Sequence, residues 1–427
     1  MSQKTWNLFI ALVFLYFFTL HADHLHFVLG GFTLRWNNLI ALTLLAMLLI
    51  RLRDQIFSIP KWVAFPLLFI ALSMIISCLL SSYPNRCSYY VGWYGLTVLC
   101  YFLLPIWIVK ALGFSSILSL YQASFICVGL YAALQLVLSI AGVHDPFVSQ
   151  FVSKNLARPN AFCFEPSFYA LYMTPIIFLY NARWITLKAS SSNWAILGIN
   201  LLYLISTSTS IILAYTAFFL ILFCIPGVDR KRIFKCIFIF AACFMCLFLI
   251  FPAIMKHFFL KFFYHGFMTH HSFYERWIGI ENGWKIFLQN PFFGVGLGGY
   301  PCYLMDAFLK GDRSFHYLTS YGLMSEANNP VKIFEPMNVS TELLASLGLF
   351  GLCAFCLLLY GLIIQVKRVG PSEKMNAYCW LVSLLVTLLV LQFNQGMFRT
   401  YIWVHLAMTY AYLEKLYERP SIIHHSA

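Results

Sequence analysis

Apolar residues in this chain arrive in blocks of roughly 15–25, the length that crosses a hydrocarbon core as a helix. KWVAFPLLFIALSMIISCLL at 61–80 is one such block. The backbone inside a bilayer has no water to bond to, so a block of this kind must satisfy its own amides and carbonyls as a helix. The composition agrees. A soluble domain carries about 25% charged residues, whereas these 427 residues are 10% charged and 61% hydrophobic. The expected class is an all-α polytopic membrane protein. Counting blocks gives about twelve transmembrane helices, at 6–20, 37–50, 62–80, 89–109, 115–137, 166–182, 194–208, 209–226, 236–254, 343–365, 376–393 and 400–413. Trp6 to Leu20 is followed by no small-residue cleavage site, so it reads as a first span and not a signal peptide.

The formal charge of +13 would suit a nucleic-acid binder, but its distribution does not. Basic residues gather in short clusters between apolar blocks: Arg51, Arg53 and Lys61; Arg183 and Lys188; Arg230, Lys231, Arg232 and Lys235; Lys367, Arg368 and Lys374; Lys415 and Arg419. That is the positive-inside pattern of a membrane protein. With the N-terminus in the cytoplasm, each of these clusters is cytoplasmic and the C-terminus returns to the same side. The short outer loops then hold Arg35, Arg86, Lys154, Arg158 and Arg399. The weak point is the pair at 194–226, where Ser206-Thr-Ser-Thr-Ser210 must make a very tight outer turn or a re-entrant one. Most of the 13 cysteines lie inside apolar blocks and read as small buried hydrophobes. Cys87, Cys163 and Cys302 reach the far side, and the sequence does not pair them.

One long hydrophilic stretch interrupts the pattern. It divides the chain into transmembrane helices 1–9 at 1–255, an extracytoplasmic loop at 256–341, and helices 10–12 with a cytoplasmic tail at 342–427. Within the loop, His257 to Tyr264 reads as an interfacial aromatic helix. From Glu275 to Gln289, helical spacing puts Trp277, Ile280, Trp284 and Phe287 on one face, with Glu281 and Lys285 as an i,i+4 pair elsewhere. Asn290-Pro291 ends that helix. Such a loop should fold back on the membrane as a cap.

Gly294-Val-Gly-Leu-Gly-Gly299 fits the G-x-G-x-x-G spacing of a dinucleotide-binding turn. That motif needs a strand before it within a βαβ unit. Here a helix precedes the glycines, no βαβ alternation exists, and the loop faces away from the cytosol. The glycines therefore mark either a plain turn or a backbone that lets a ligand or another helix come close.

Three outward stretches carry candidate chemistry. In Arg158-Pro-Asn-Ala-Phe-Cys-Phe-Glu165-Pro-Ser, an arginine and a carboxylate stand at a membrane entrance; the plainer reading is an interfacial Arg and a Glu on a helix dipole. In Ser272-Phe-Tyr-Glu-Arg276, the arginine heads the amphipathic helix, where a positive charge opposes the dipole and so asks for a partner. In Met337-Asn338-Val-Ser-Thr-Glu342, followed by Gly348 and Gly351, a carboxylate starts a span and the glycines permit close packing.

Taken together, these stretches resemble the O-antigen ligase and polymerase superfamily of bacterial envelope glycosyltransferases. Members show an Arg before a Pro-containing helix start, then Arg, an amphipathic helix and NPxxGxGxG, then HNxxLxxLxxxGxxG after the long loop. The second element is nearly whole here, from Arg276 through Gly298. The third keeps Asn338, Leu344, Gly348 and Gly351 but has Met337 where ligases carry His. FxEPS looks closest to the polysaccharide polymerases of the family. His270, His271 and His316 lie in the same loop and could substitute for that His.

The resemblance implies a GT-C-like fold in the bacterial inner membrane with its active site facing the periplasm. It implies transfer of glycan from undecaprenyl pyrophosphate to a second lipid-linked glycan (polymerase) or to lipid A-core or protein (ligase). A flippase and a chain-length regulator would be companions, and membrane lipids the surroundings. Such chemistry needs fixed positive charge on the leaving pyrophosphate, which Arg158 and Arg276 would supply. It also needs a base for the acceptor hydroxyl, with Glu165 the first candidate and Glu342 the second. Asn290, Gly294, Gly296 and Asn338 complete the expected substrate-binding set. No D-x-D or H-x-x-x-H cluster occurs, so neither a metal nor another cofactor is expected. A secondary transporter or a non-catalytic assembly partner are the competing classes. Transporters place ionisable residues inside spans and often show repeated halves; here His405 is one of very few such residues and no repeat is visible.

Overall fold

The computed structural model describes residues 3–29, 32–51, 59–153, 156–187, 193–206, 208, 210–250, 252, 271–312, 314, 336, 338–393 and 399–418. Helices occupy all twelve apolar stretches. In the first half they are α1 (Gln3–Phe18), α2 (Trp36–Arg51), α3 (Lys61–Leu80), α4 (Pro84–Val98), α5 (Leu104–Leu112) and α6 (Phe114–Ile140). One π turn at Leu99–Leu103 joins α4 to α5 into a single rod, just before Pro105 removes an amide from the ladder. Then follow α7 (Pro166–Leu187), α8 (Asn193–Leu204), α9 (Ser210–Phe223) and α10 (Arg230–Ile250). The loop contributes α11 (His271–Gln289) and α12 (Tyr300–Leu309). The chain ends with α13 (Val339–Arg368), α14 (Pro371–Val390) and α15 (Thr400–Glu418).

Among the described residues, six helical stretches are long and apolar enough to cross a membrane, and Trp36–Ile50, Ala195–Leu204 and Ser210–Cys224 are shorter apolar helices. Their outer surfaces suit lipid: Leu79, Phe65 and Leu220 are 77%, 65% and 62% exposed. The interior is aromatic, with Phe125 stacked on Tyr172 at 4.3 Å and Trp380 fully buried. Buried hydroxyls find acceptors there, as in Tyr16 to the Cys100 carbonyl and Tyr169 to the Leu202 carbonyl, both at 2.8 Å. His405 is held between Ser383, at 2.6 Å from Nε2, and Tyr121, at 3.4 Å from Nδ1, with Trp380 stacked against its ring. That is a satisfied core histidine and not the pathway residue a transporter would need.

Three features differ from the sequence expectations or are left open by them. Two short antiparallel hairpins interrupt the helices: β1 (His26–Leu29) with β2 (Phe32–Arg35), and β3 (Phe151–Ser153) with β4 (Leu156–Ala157). They are too short to show period-2 alternation against an apolar background. Next, α8 and α9 have 12 and 14 residues; at 1.5 Å per residue they run about 18 and 21 Å, short of a core about 30 Å thick. Ser206 and Ser208 at their turn are buried, which suits the re-entrant alternative.

The third feature is the buried face of α11, which the spacing left open. It buries Ile278, Asn282, Gly283, Ile286 and Phe287, while Trp277 and Trp284 stand 47% and 49% exposed. The indoles occupy the neighbouring face because Gly283 must touch α13: a Cβ there would overlap the Thr341 methyl. Exposed tryptophans beside a bilayer are at home at its interface. Glu281 and Lys285 do pair, at 2.8 Å. His257 to Tyr264, His270, His316 and Met337 lie outside the described residues, as does the side chain of His271.

Candidate functional site

The glycine turn is built into a broken helix. Gly348 has φ +64° and ψ −160° inside α13, a conformation that interrupts the helical ladder. In an unbroken helix the amides of Leu349 and Phe350 would bond the carbonyls of Ala345 and Ser346. Instead Leu349 donates to the Pro291 carbonyl at 2.9 Å and Phe350 to that of Phe292 at 3.2 Å. The two helix carbonyls so released accept from Val295 at 2.9 Å and Gly296 at 3.0 Å. Ser77 of α3 bonds the Phe293 and Ser346 carbonyls, at 2.5 and 2.8 Å, and Ser81 bonds that of Val295 at 2.6 Å.

This contact explains the residue types. A Cβ on Gly294 would lie 2.5 Å from the Ala345 oxygen, and one on Gly348 would strike the Phe292 backbone. Gly296 lies against Cys87 and Ser81, and Gly298 against the Tyr90 ring. Arg86 completes the seat, donating from Nε to the Gly298 carbonyl at 2.6 Å. Behind the turn, Tyr83 bonds Asp306 of α12; burial first and then this carboxylate push its phenol above the ordinary range. Asn290 shapes the turn locally, its carbonyl accepting from Gly294 at 3.1 Å. The glycine stretch is thus an interhelical joint, and the amides of Val295 and Gly296 are engaged by α13.

Beside that joint, α11, α13 and the end of α14 converge. Arg276 donates from Nε to the Phe393 carbonyl at 2.7 Å. It does not head its helix: α11 begins at His271, so Arg276 sits in the second turn, away from the end of the dipole where its charge would be disfavoured. Its partner carbonyl follows the end of α14, where a cation is favoured. Asn338 caps α13, accepting from the Thr341 amide at 2.8 Å, and its amide nitrogen donates to the Gln392 carbonyl at 2.8 Å. Ser340 bonds the Gln392 side chain at 2.8 Å. Glu342 lies two residues further on and is 4% exposed.

A second cluster stands at the other end of the short segment from Phe393 to Arg399. Asp23, 3% exposed, contacts Arg35 at 2.8 Å and Arg399 at 3.5 Å. The Arg399 guanidinium also lies over the Phe168 ring, 3.5 Å from its centroid. Phe168 is in the first turn of α7, whose start is capped by the Glu165 carbonyl. The Glu165 side chain is exposed and accepts from Ser167 at 3.0 Å. Arg158 bonds Gln150 at 2.5 Å; burial lowers its pKa and the nearby Glu165 charge opposes that shift. The structure therefore holds Arg158 on Gln150 and Glu165 on Ser167, and brings Arg276 to the helix ends beside Asn338.

Asp23, Arg35, Arg399 and Gln392 were not singled out as site residues by the sequence. Arg35 and Arg399 counted there as outer-loop charges, and nothing local reveals that Asp23 joins Arg399 across 376 residues of chain. Among the described residues, no group of three or more His, Cys, Asp or Glu could hold a metal ion.

The architecture defines a polytopic α-helical membrane protein whose long loop is stitched onto one face of the bundle beside clustered arginines. Residues 194–356 match the family model described as O-Antigen ligase, and this match supports the resemblance to the O-antigen ligase/polymerase superfamily. The matched segment contains Arg276, Asn290, the glycine turn, Asn338 and Glu342; Arg158 and Glu165 precede it. A comparison with curated proteins finds no match.

Proposed function

We propose that this protein is a glycosyltransferase of the bacterial inner membrane that polymerises glycan repeats carried on undecaprenyl pyrophosphate. Its site faces the periplasm, with about twelve crossings and both termini in the cytoplasm. The observation that carries the reading is that Arg35 and Arg399 share Asp23, with Arg399 over Phe168 in the helix turn that follows Arg158 and Glu165, while Arg276 of the loop is held on the Phe393 carbonyl. An acceptor sugar hydroxyl attacks the anomeric carbon of the donor as the bond from that carbon to the pyrophosphate oxygen breaks. The hydroxyl proton passes to Glu165, and undecaprenyl pyrophosphate leaves with its growing negative charge on the arginines. Glu165 suits the base because it is exposed; Glu342, 4% exposed, suits a structural place in the first turn of α13. Asn290, Gly294, Gly296 and Asn338 position this site by holding the loop and helix ends together.

Transfer to lipid A-core is the second reading, favoured by the description of the matched family. Met337 in the place of the ligase His, together with the FxEPS stretch, favours polymerisation. The test is purified protein in vesicles with a lipid-linked repeat, given alone or with lipid A-core. A ladder of longer lipid-linked glycans from the repeat alone is expected. Product formed only when lipid A-core is present would make the protein a ligase, and product in neither case would remove the transferase reading.

A further inference from the structure

At the opposite end of the bundle, α7, α8, α9 and α10 do not close on one another. Between them lies a cavity of about 660 Å³, within the range of about 300–1,000 Å³ that small-molecule sites occupy. Its body is apolar, walled in part by Ile185, Leu201, Phe218 and Ile239, and Arg232 and Lys235 also line it. The gap follows from the short α8 and α9, against which α10 rests chiefly through aromatic contacts such as Tyr215 on Phe240, with centroids 3.7 Å apart. The polar groups in its wall bond one another: Asn181 and Asn200 exchange amide hydrogen bonds, each 2.9 Å, and Tyr215 bonds Asn200.

The two ends of this space differ in chemistry. Arg232 and Lys235 are one turn apart on the first part of α10, the cytoplasmic end in the orientation proposed above. Asp229 lies 3.7 Å from Arg232 but does not line the cavity, so the cavity itself carries two positive charges. Phe238 and Leu249, each 75% exposed on the same helix, give α10 an apolar outer face that suits the hydrocarbon. A molecule that enters here comes from the bilayer, and the space is complementary to one with an apolar body and an anionic head. Basic pockets between membrane helices on the cytoplasmic side are suited to acidic lipid headgroups.

We propose that this cavity is a binding site for an anionic phospholipid, with its phosphate on Arg232 and Lys235 and an acyl chain along Leu201 and Phe218. The site lies away from the outward arginines and does not depend on the glycan chemistry assigned to them.

The test uses the full chain in phosphatidylcholine vesicles, with spin-labelled phosphatidylglycerol or phosphatidylcholine as probe and the protein-bound fraction as readout. Wild-type protein should prefer phosphatidylglycerol by about thirtyfold, from two basic residues. Arg232→Ala with Lys235→Ala should bring that preference close to one. Ile239→Trp, which keeps both charges and fills the cavity, should reduce the bound fraction of phosphatidylglycerol at least threefold. Equal binding of the two lipids by wild type, or a preference that survives the double substitution, would overturn the proposal. So would unchanged binding in Ile239→Trp, which would put the lipid on the outer surface, or displacement of the lipid by millimolar inorganic phosphate, which would reduce the site to a headgroup contact.

Discussion

Val295 donates its amide to the carbonyl of Ala345 at 2.9 Å, taking the place that Leu349 would hold in an unbroken helix. The loop's own carbonyls at Pro291 and Phe292 accept the amides displaced by this exchange. Two helical bonds are thereby replaced by four between segments, so the joint costs the backbone no hydrogen bond. Gly348→Ala should cost roughly 1–3 kcal/mol from the left-handed backbone alone, and the overlap with Phe292 adds to it. The expected outcome is a lower unfolding temperature in detergent and faster proteolysis within the 271–299 segment. Ala at Gly311, which also has positive φ but open space around it, should show only the backbone cost.

Arg276→Ala should lower transfer about 100-fold or more if its charge meets the leaving pyrophosphate, with membrane insertion unchanged. Arg276→Lys keeps the charge and loses the planar fork, so an intermediate rate is expected. Rates with lipid-linked substrate, normalised to inserted protein, give the answer; wild-type activity in Arg276→Ala would remove the assignment.

The two carboxylates should separate cleanly. Glu165→Gln keeps shape and removes the base, so kcat should fall while KM stays within about threefold. Glu342→Gln should act mainly on thermal stability, with the rate retained. A reversed result would exchange their roles.

Asp23 lies between two guanidiniums and is almost wholly buried. Removing one partner of such a group costs about 3–5 kcal/mol because it leaves charge uncompensated. Asp23→Asn should therefore lose yield and stability, and Asp23→Asn with Arg399→Gln should recover part of both. A double-mutant cycle in thermal unfolding measures the coupling; additive effects would show that the contact contributes nothing.

The helices were legible because a bilayer span is a one-dimensional signal, a run of apolar residues of sufficient length. The joint was half legible. The spacing of Gly294, Gly296, Gly348 and Gly351 announced close approach, but which backbone came close depends on two segments about fifty residues apart. Which face of α11 is buried was not legible, because the spacing of Trp277, Ile280, Trp284 and Phe287 shows a shared face but not that Gly283 meets Thr341 of α13. Arg158, Glu165, Arg276 and Glu342 stood out because charge is rare in this chain. Asp23 is equally rare and was passed over, since its partners are Arg35 in the hairpin after α1 and Arg399 just before α15. Position in space, unlike polarity, leaves no local trace.

The break at Gly348 also bears on the order in which the protein is made. A membrane helix interrupted by a glycine in this conformation would enter lipid with carbonyls and amides unmet, each costing several kcal/mol. Residues 291–296 supply those partners, and they precede α13 in the chain, so during synthesis they emerge first. The ribosome thus delivers the patch before the helix that needs it. A circular permutant that moved α13 ahead of the loop would have the same native contacts and a harder route to them.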